Sequence, residues 1–157
     1  MQAPPKPRAK SAAGPTATSP LPAEEAQAAR HSSARAGRAS AVLEDYVELI
    51  DDLQAETGEA RTTDIARRLG VAHPTVIKSI ARLKALGLAV SQPYRSIFLT
   101  EEGRALAQRV RARHRLVVDL LVAVGVPRTV AEADAEGIEH HVSEATLESF
   151  ERFLRRD

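Results

Sequence analysis

The stretch Thr62 to Leu88, "TTDIARRLGVAHPTVIKSIARLKALGL", constrains the fold more than any other part of this 157-residue chain. Ile65, Ala66 and Leu69 recur at helical spacing and give a first short helix, Thr63 to Leu69, one apolar face. Gly70 supplies a turn, and Val71 is placed to plug the angle between two helices. A second helix, Pro74 to Leu86, opens on a proline where a missing N–H costs nothing, and Val76, Ile80 and Leu83 anchor it from behind. Two β-like runs follow at once, "LAVSQ" and "SIFLT", around the turn Pro93-Tyr94-Arg95. A two-helix pattern alone fits an αα-hairpin with a solvated face. A helix-turn-helix followed by two strands makes a winged helix.

This reading assigns roles to the outward residues. His73, Thr75, Lys78, Ser79 and Arg82 project from the second helix away from its apolar anchors. They are donors and cations of the kind that reach base edges and phosphates in a major groove. Arg95, at the tip of the wing, is placed for phosphate or the minor groove.

The rest of the chain reads as helix around this unit. Val42, Tyr46, Leu49, Ile50 and Leu53 form a stripe from Ala41 onwards, stopped by Gly58. Thr100 is a cap for a long helix from Glu101 to about Val124. Pro127 opens another helix ending near His141, and Ser143 caps a last amphipathic one carrying Leu147, Phe150, Phe153 and Leu154. The pattern yields a mainly α chain in three parts. Residues 1–38 form a basic Pro/Ala-rich tail, 39–100 the winged helix, and 101–157 an all-helical domain.

Composition narrows the function classes. Six of the nine prolines precede residue 23, among Ala, Ser and Thr, so the tail is expected to be disordered. Residues 1–40 carry six Lys or Arg against Glu24 and Glu25, a net +4, which leaves −3 on the remainder of a chain of net charge +1. Bulk charge therefore does not argue for nucleic acid, and a DNA-binding surface must be local. Cysteine is absent, which excludes disulfides and thiolate metal sites. No stretch approaches the ~20 apolar residues of a membrane span, and the first residues lack a secretory segment, so a cytoplasmic protein with no membrane partner is expected.

One segment remains unexplained by packing. "AEGIEHHVSE", Ala135 to Glu144, crowds Glu136, Glu139, His140 and His141 together. Positions i, i+3 and i+4 share a helix face, so Glu136, Glu139 and His140 can address one spot, with His141 about 100° further round. The first helix offers Asp45 and Glu48, three apart, and the long helix offers His114 between Val110 and Val117. A solvated acidic face is one reading and an acid–base site another. If the three faces meet, the carboxylates raise each other's pKa unless a cation joins them. Oxygen donors with imidazole and no sulfur favour a harder divalent ion such as Mn²⁺, and six side chains have room for two ions per subunit.

"DYVELI", the winged-helix block, "YRSIFLTEEG", "RHRLVV" and "DAEGIEHHVSE" together resemble the diphtheria toxin repressor family of metal-dependent transcriptional regulators, and within it the short members that respond to manganese. The resemblance spans about Leu43 to Phe153. It implies that the helical domain is a metal-binding and dimerisation domain. It further implies a homodimeric, Mn²⁺-activated repressor of manganese-uptake genes, bound to a pseudo-palindromic operator in double-stranded DNA. The ligands it implies are Asp45, Glu48, His114, Glu136, Glu139 and His140. Iron-responsive relatives place sulfur at two of these positions, where Asp45 and Glu139 stand here. Two features depart from the family: Ser96 stands where many relatives have glycine, and the long tail lies outside the common core. No organic small-molecule substrate and no enzymatic activity are expected. One rival reading is a winged-helix regulator answering a small organic ligand, with the acidic cluster merely solvated; a second, a di-metal hydrolase or oxidase built on helices, leaves the winged helix unexplained.

Overall fold

The computed structural model describes residues 21–92 and 96–156. Six helices and three short strands run in the order α1 (Glu24–Thr57), β1 (Ala60–Arg61), α2 (Thr62–Leu69), α3 (His73–Ala85), β2 (Ala89–Ser91), β3 (Ser96–Leu99), α4 (Glu101–Ala123), α5 (Arg128–Ile138) and α6 (Glu144–Leu154). A 3-10 turn, Glu139–His141, follows α5 directly.

The helix-turn-helix forms as its residues dictate. Gly70 caps α2 in the left-handed conformation at φ 65°, and Val71 packs against the core. Val76, Ile80 and Leu83 bury the inner face of α3. The wing is an antiparallel pair in which Ala89, Val90 and Ser91 face Leu99, Phe98 and Ile97. A third strand joins this pair. Ala60 and Arg61 pair with Ile97 and Ser96, so the sheet order is β1-β3-β2. Two residues carry no periodicity of their own, and only their partner identifies them as a strand. Ser96 is buried at the base of the wing, where its hydroxyl donates to Glu59 at 2.6 Å. The wing tip, including Arg95, lies outside the described residues.

Two expectations are corrected in α1. The helix begins at Glu24, so residues 24–38 are helical where a disordered tail was expected. The physical reason is composition: beyond Pro22 the segment is rich in alanine, the best helix former, with Glu24 and Glu25 in the first turn where they complement the helix dipole. Residues 1–20 of the expected tail lie outside the described residues. The apolar stripe is also rotated. Leu43, Tyr46, Val47, Ile50 and Leu53 are buried, whereas Val42 is 48% exposed.

The start of α4 is fixed by close approach. Thr100 accepts from the Gly103 N–H and donates to the Gly87 carbonyl at 2.7 Å. A Cβ at Gly103 would fall 2.1 Å from the Leu88 carbonyl oxygen, so only glycine lets helix and wing meet here. Ser143 caps α6 as expected, its side chain accepting from the Thr146 N–H. α4 serves both halves: Ala107 completes the winged-helix core, while Val117 and Val118 pack with Ala131 and Ala135 of α5.

Candidate metal centre and nucleic-acid interface

Three elements bring the crowded turn its partners. α1 presents Asp45 and Glu48, α4 presents His114, and the end of α5 with its 3-10 turn presents Glu136, Glu139 and His140. The last turn tightens after Ile138, so Glu136 and the Glu139-His140 pair do not share one continuous α-helical face as expected. They nevertheless converge. Ligand atoms of His114, Glu136 and Glu139 all lie within 4.8 Å of one another. His114 Nδ1 is 2.5 Å from Glu139 and 3.7 Å from Glu136. His140 Nε2 is 3.3 Å from Asp45 and 3.5 Å from Glu139. Glu48 and Asp45 line an open groove with Glu136. His141 turns away and sits against Gly37 of α1, where a Cβ would come 3.2 Å from its Nδ1.

Charge in this cluster is unbalanced. Glu139 is 1% exposed, and burial pushes its carboxyl above the ordinary value despite its hydrogen bond with His114. Burial also raises Glu48, and repulsion from Glu139, Asp52 and Glu136 adds to this, outweighing the opposing attraction of Arg111. The imidazoles are pushed the other way from what burial alone would do. Desolvation lowers His114, but its bonds to Glu132 and Glu139 outweigh this and raise it. His140, bonded to Asp45 and Glu44, rises to about 10. Among the carboxylates that raise the imidazoles are the ones a divalent cation would satisfy. A buried carboxylate amid other acids and two imidazoles, with no sulfur, is a donor set that fits a hard divalent ion.

Four flanking residues lie outside the set that helical spacing nominates. Glu44 and Arg113 contact each other and His140. Glu132 accepts from His114 Nε2 at 3.0 Å. Arg111 ties α4 to α1 through Asp51 at 2.5 Å, Asp52, and Glu48 at 3.8 Å. Adjacency was the available signal: Glu44 precedes Asp45, Arg113 precedes His114, and Glu132 lies one turn before Glu136.

On the other side of the winged helix, Thr75, Lys78 and Arg82 are exposed along α3, with Ser79 half-buried beside them. His73 is exposed as a residue, but its ring is engaged: Nε2 lies 3.0 Å from the Thr62 hydroxyl, tying the start of α3 to α2. Ile77, absent from the expected set, is 49% exposed on the same helix.

A winged helix joined to a helical domain through one shared cluster of oxygen and nitrogen donors defines a class, that of DNA-binding regulators with a built-in metal centre. The comparisons with known proteins agree. Residues 39–97 match the N-terminal DNA binding domain of the iron dependent repressors, and residues 100–156 match their metal binding and dimerisation domain. The chain belongs to the iron-dependent repressor family. It is 50% identical over 115 residues to the transcriptional regulator MntR of Salmonella typhi, covering 73% of each chain. It is 41% identical over 101 residues to the HTH-type transcriptional regulator MntR of Geobacillus kaustophilus, covering 64% of this chain and 72% of that protein. Among solved structures it resembles T. acidophilum IdeR, with TM-score 0.60 and 32% identity, over 70% of this chain and 53% of that one. It also resembles a manganese-dependent transcriptional repressor in complex with manganese, with TM-score 0.63 and 30% identity, over 71% and 52%. The chain spans about half the length of these two solved proteins.

Proposed function

We propose that this chain is a manganese-responsive transcriptional repressor of manganese-uptake genes. It acts in the cytoplasm as a homodimer on a pseudo-palindromic operator, and it catalyses no reaction. Support comes from the names of its relatives and from the match to a metal binding and dimerisation domain. The observation that carries the reading is the convergence of Asp45, Glu48, His114, Glu136, Glu139 and His140 from three helical segments, with Glu139 buried among them. These six would hold Mn²⁺, two ions per subunit. Bound there, the ion supplies positive charge that lets several carboxylates share one small volume.

The residues themselves explain the coupling to DNA. Asp45 and Glu48 sit on the helix whose other face, Val47, Ile50 and Leu53, forms the core of the DNA-reading unit. Glu136, Glu139 and His140 belong to the C-terminal half. Without an ion, these acids are held only pairwise, by the imidazoles and Arg111 beside them. When their charge is balanced, the joint is drawn into one orientation, and α1 transmits that orientation to α3. Thr75, Lys78, Ser79 and Arg82 of two subunits then address successive major grooves about 34–36 Å apart. Arg95 from the wing and His73 complete the proposed contact set. The ion need only favour the DNA-competent arrangement over the others.

A titration tests this directly. Operator affinity of the chelated protein should rise at least tenfold on adding Mn²⁺. Equal affinity with and without Mn²⁺ would leave the small-organic-ligand reading as the better one.

A further inference from the structure

Each imidazole of the cluster has two ring nitrogens, and only one of them faces the cluster. His140 turns Nε2 toward Asp45 and Glu139, and its Nδ1 lies 2.6 Å from Glu44 Oε2. His114 turns Nδ1 toward Glu139 and Glu136, and its Nε2 lies 3.0 Å from Glu132. The outer contact of His140 is the more enclosed. The side chains of Glu44 and His140 are 12% and 7% exposed, against 50% for Glu132. Arg113 donates from both Nη atoms to the Glu44 carboxylate and so holds it in place.

Resting on the metal reading above, we propose that Glu44, locked by Arg113, is the positioning residue of the centre. It accepts the Nδ1–H of His140 and thereby leaves the Nε2 lone pair facing the ion. A neutral imidazole has one N–H and one lone pair, and a fixed acceptor at Nδ1 decides which nitrogen carries which. Such outer partners fix the tautomer and ring orientation of a ligating histidine, and their loss costs about 10–100-fold in metal affinity. Glu44 is not itself placed as a ligand. Its oxygens are engaged by Arg113 and Nδ1, on the side of the ring away from Asp45 and Glu139. The local sequence makes the arrangement compact: "Glu44-Asp45" on α1 faces "Arg113-His114" on α4. In each pair, one member is a proposed ligand and the other a support.

The test is a double-mutant cycle read by calorimetric Mn²⁺ titration of the full chain, with Glu44→Ala, His140→Ala and both together. Glu44→Ala should weaken Mn²⁺ binding at least tenfold in the wild-type background and have no further effect when His140 is already alanine. A Glu44 effect that persists undiminished without His140 overturns the proposal, because the residue would then act through bulk charge or folding. Glu44→Gln keeps the size and an acceptor oxygen but loses the charge, and it should fall between wild type and alanine. It also provides a folded variant if the alanine form fails to fold. A second readout needs no metal. The hydrogen-bonded Nδ1–H of His140 should give a downfield proton resonance in the metal-free protein that Glu44→Ala removes, and its survival in that variant would overturn the proposal. If His140→Ala weakens Mn²⁺ binding and neither Glu44 variant does, only this inference fails. If His140→Ala itself leaves Mn²⁺ affinity unchanged, the ligand assignment fails with it.

Discussion

The two halves of this molecule are held together by different physics. The winged-helix half closes around one large apolar cluster, with Val47, Ile50, Ala60, Ile65, Val76 and Leu83 fully enclosed or nearly so and drawn from α1, α2, α3 and the sheet. The C-terminal half has a smaller apolar cluster of its own, in which Val117, Val118, Ala131 and Ala135 are buried, and α6 contributes no buried residue to it. Its apolar mass is left partly open, with Val124 61%, Val130 46% and Phe153 46% exposed. Besides Ala107 in the winged-helix core, this half is joined to α1 by charge: Arg113 with Glu44, Arg111 with Asp51 and Asp52, and His140 with Glu44 and Asp45. The two halves divide the labour. A unit that presents a rigid helix to DNA needs its own core, whereas a unit that responds to an ion and a second subunit keeps its affinities for them.

The comparison can be broken most severely by a cavity. Leu83→Ala, at a site with no exposure, should cost about 2–5 kcal/mol of stability. Phe153→Ala, on the open side of α6, should cost under about 1 kcal/mol in the monomer and show itself in the dimer equilibrium instead. Denaturant melts at several protein concentrations separate the two. Equal and concentration-independent losses would show that the C-terminal half has a self-sufficient core after all.

The next largest effect belongs to the joint. Glu136→Ala and Glu139→Ala should each remove the Mn²⁺ stimulation of operator binding while leaving the metal-free helix content intact by circular dichroism. His141→Ala, whose ring sits on Gly37 rather than in the cluster, should retain it. Unchanged Mn²⁺ response in both glutamate variants would return the cluster to being a charged surface.

The DNA-facing side should respond independently of the joint. Arg82→Ala is expected to weaken operator binding by about 1–3 kcal/mol if it reads a base, or to lower the salt slope by about 1 if it meets a phosphate. Mn²⁺ affinity of the free protein should stay the same in either case. Filter binding across salt concentrations, paired with calorimetry, checks both halves of the statement.

The smallest expected effect is on the acid side of the wing. The Ser96 hydroxyl, and then Arg61, hold the Glu59 carboxyl below its ordinary value of 4.5. A lowered folded-state pKa means that the contribution is present above the unfolded value and is lost as pH falls through the folded one. Glu59→Gln should therefore lower the melting temperature slightly near pH 7, and the difference from wild type should vanish at pH values well below 4.5. A difference that persists in acid would assign the effect to shape rather than charge.

Much of this architecture was legible because its causes are local. Gly70, Pro74, Thr100 and Ser143 set helix ends through their own backbone chemistry, and Val76, Ile80 and Leu83 declare one face by spacing alone. Local pattern also misled. It placed Val42 in the stripe of α1 that Leu43 and Val47 fill, and it let the prolines before residue 23 colour the alanine-rich stretch after them. β1 was invisible because a two-residue strand exists only through its neighbour.

For the candidate centre, the sequence by itself determined the chemistry on offer: carboxylates and imidazoles at helical spacing, no sulfur, and a winged helix beside them. The tertiary structure alone decided which ring nitrogen faces the cluster and what holds the other. Glu44 meets His140 across 96 residues of chain, and Arg113 meets Glu44 across 69. Spacing rules act over one or two helical turns. A hydrogen bond between side chains so distant is fixed only when the helices carrying them have packed, because its direction depends on their crossing and not on their sequence.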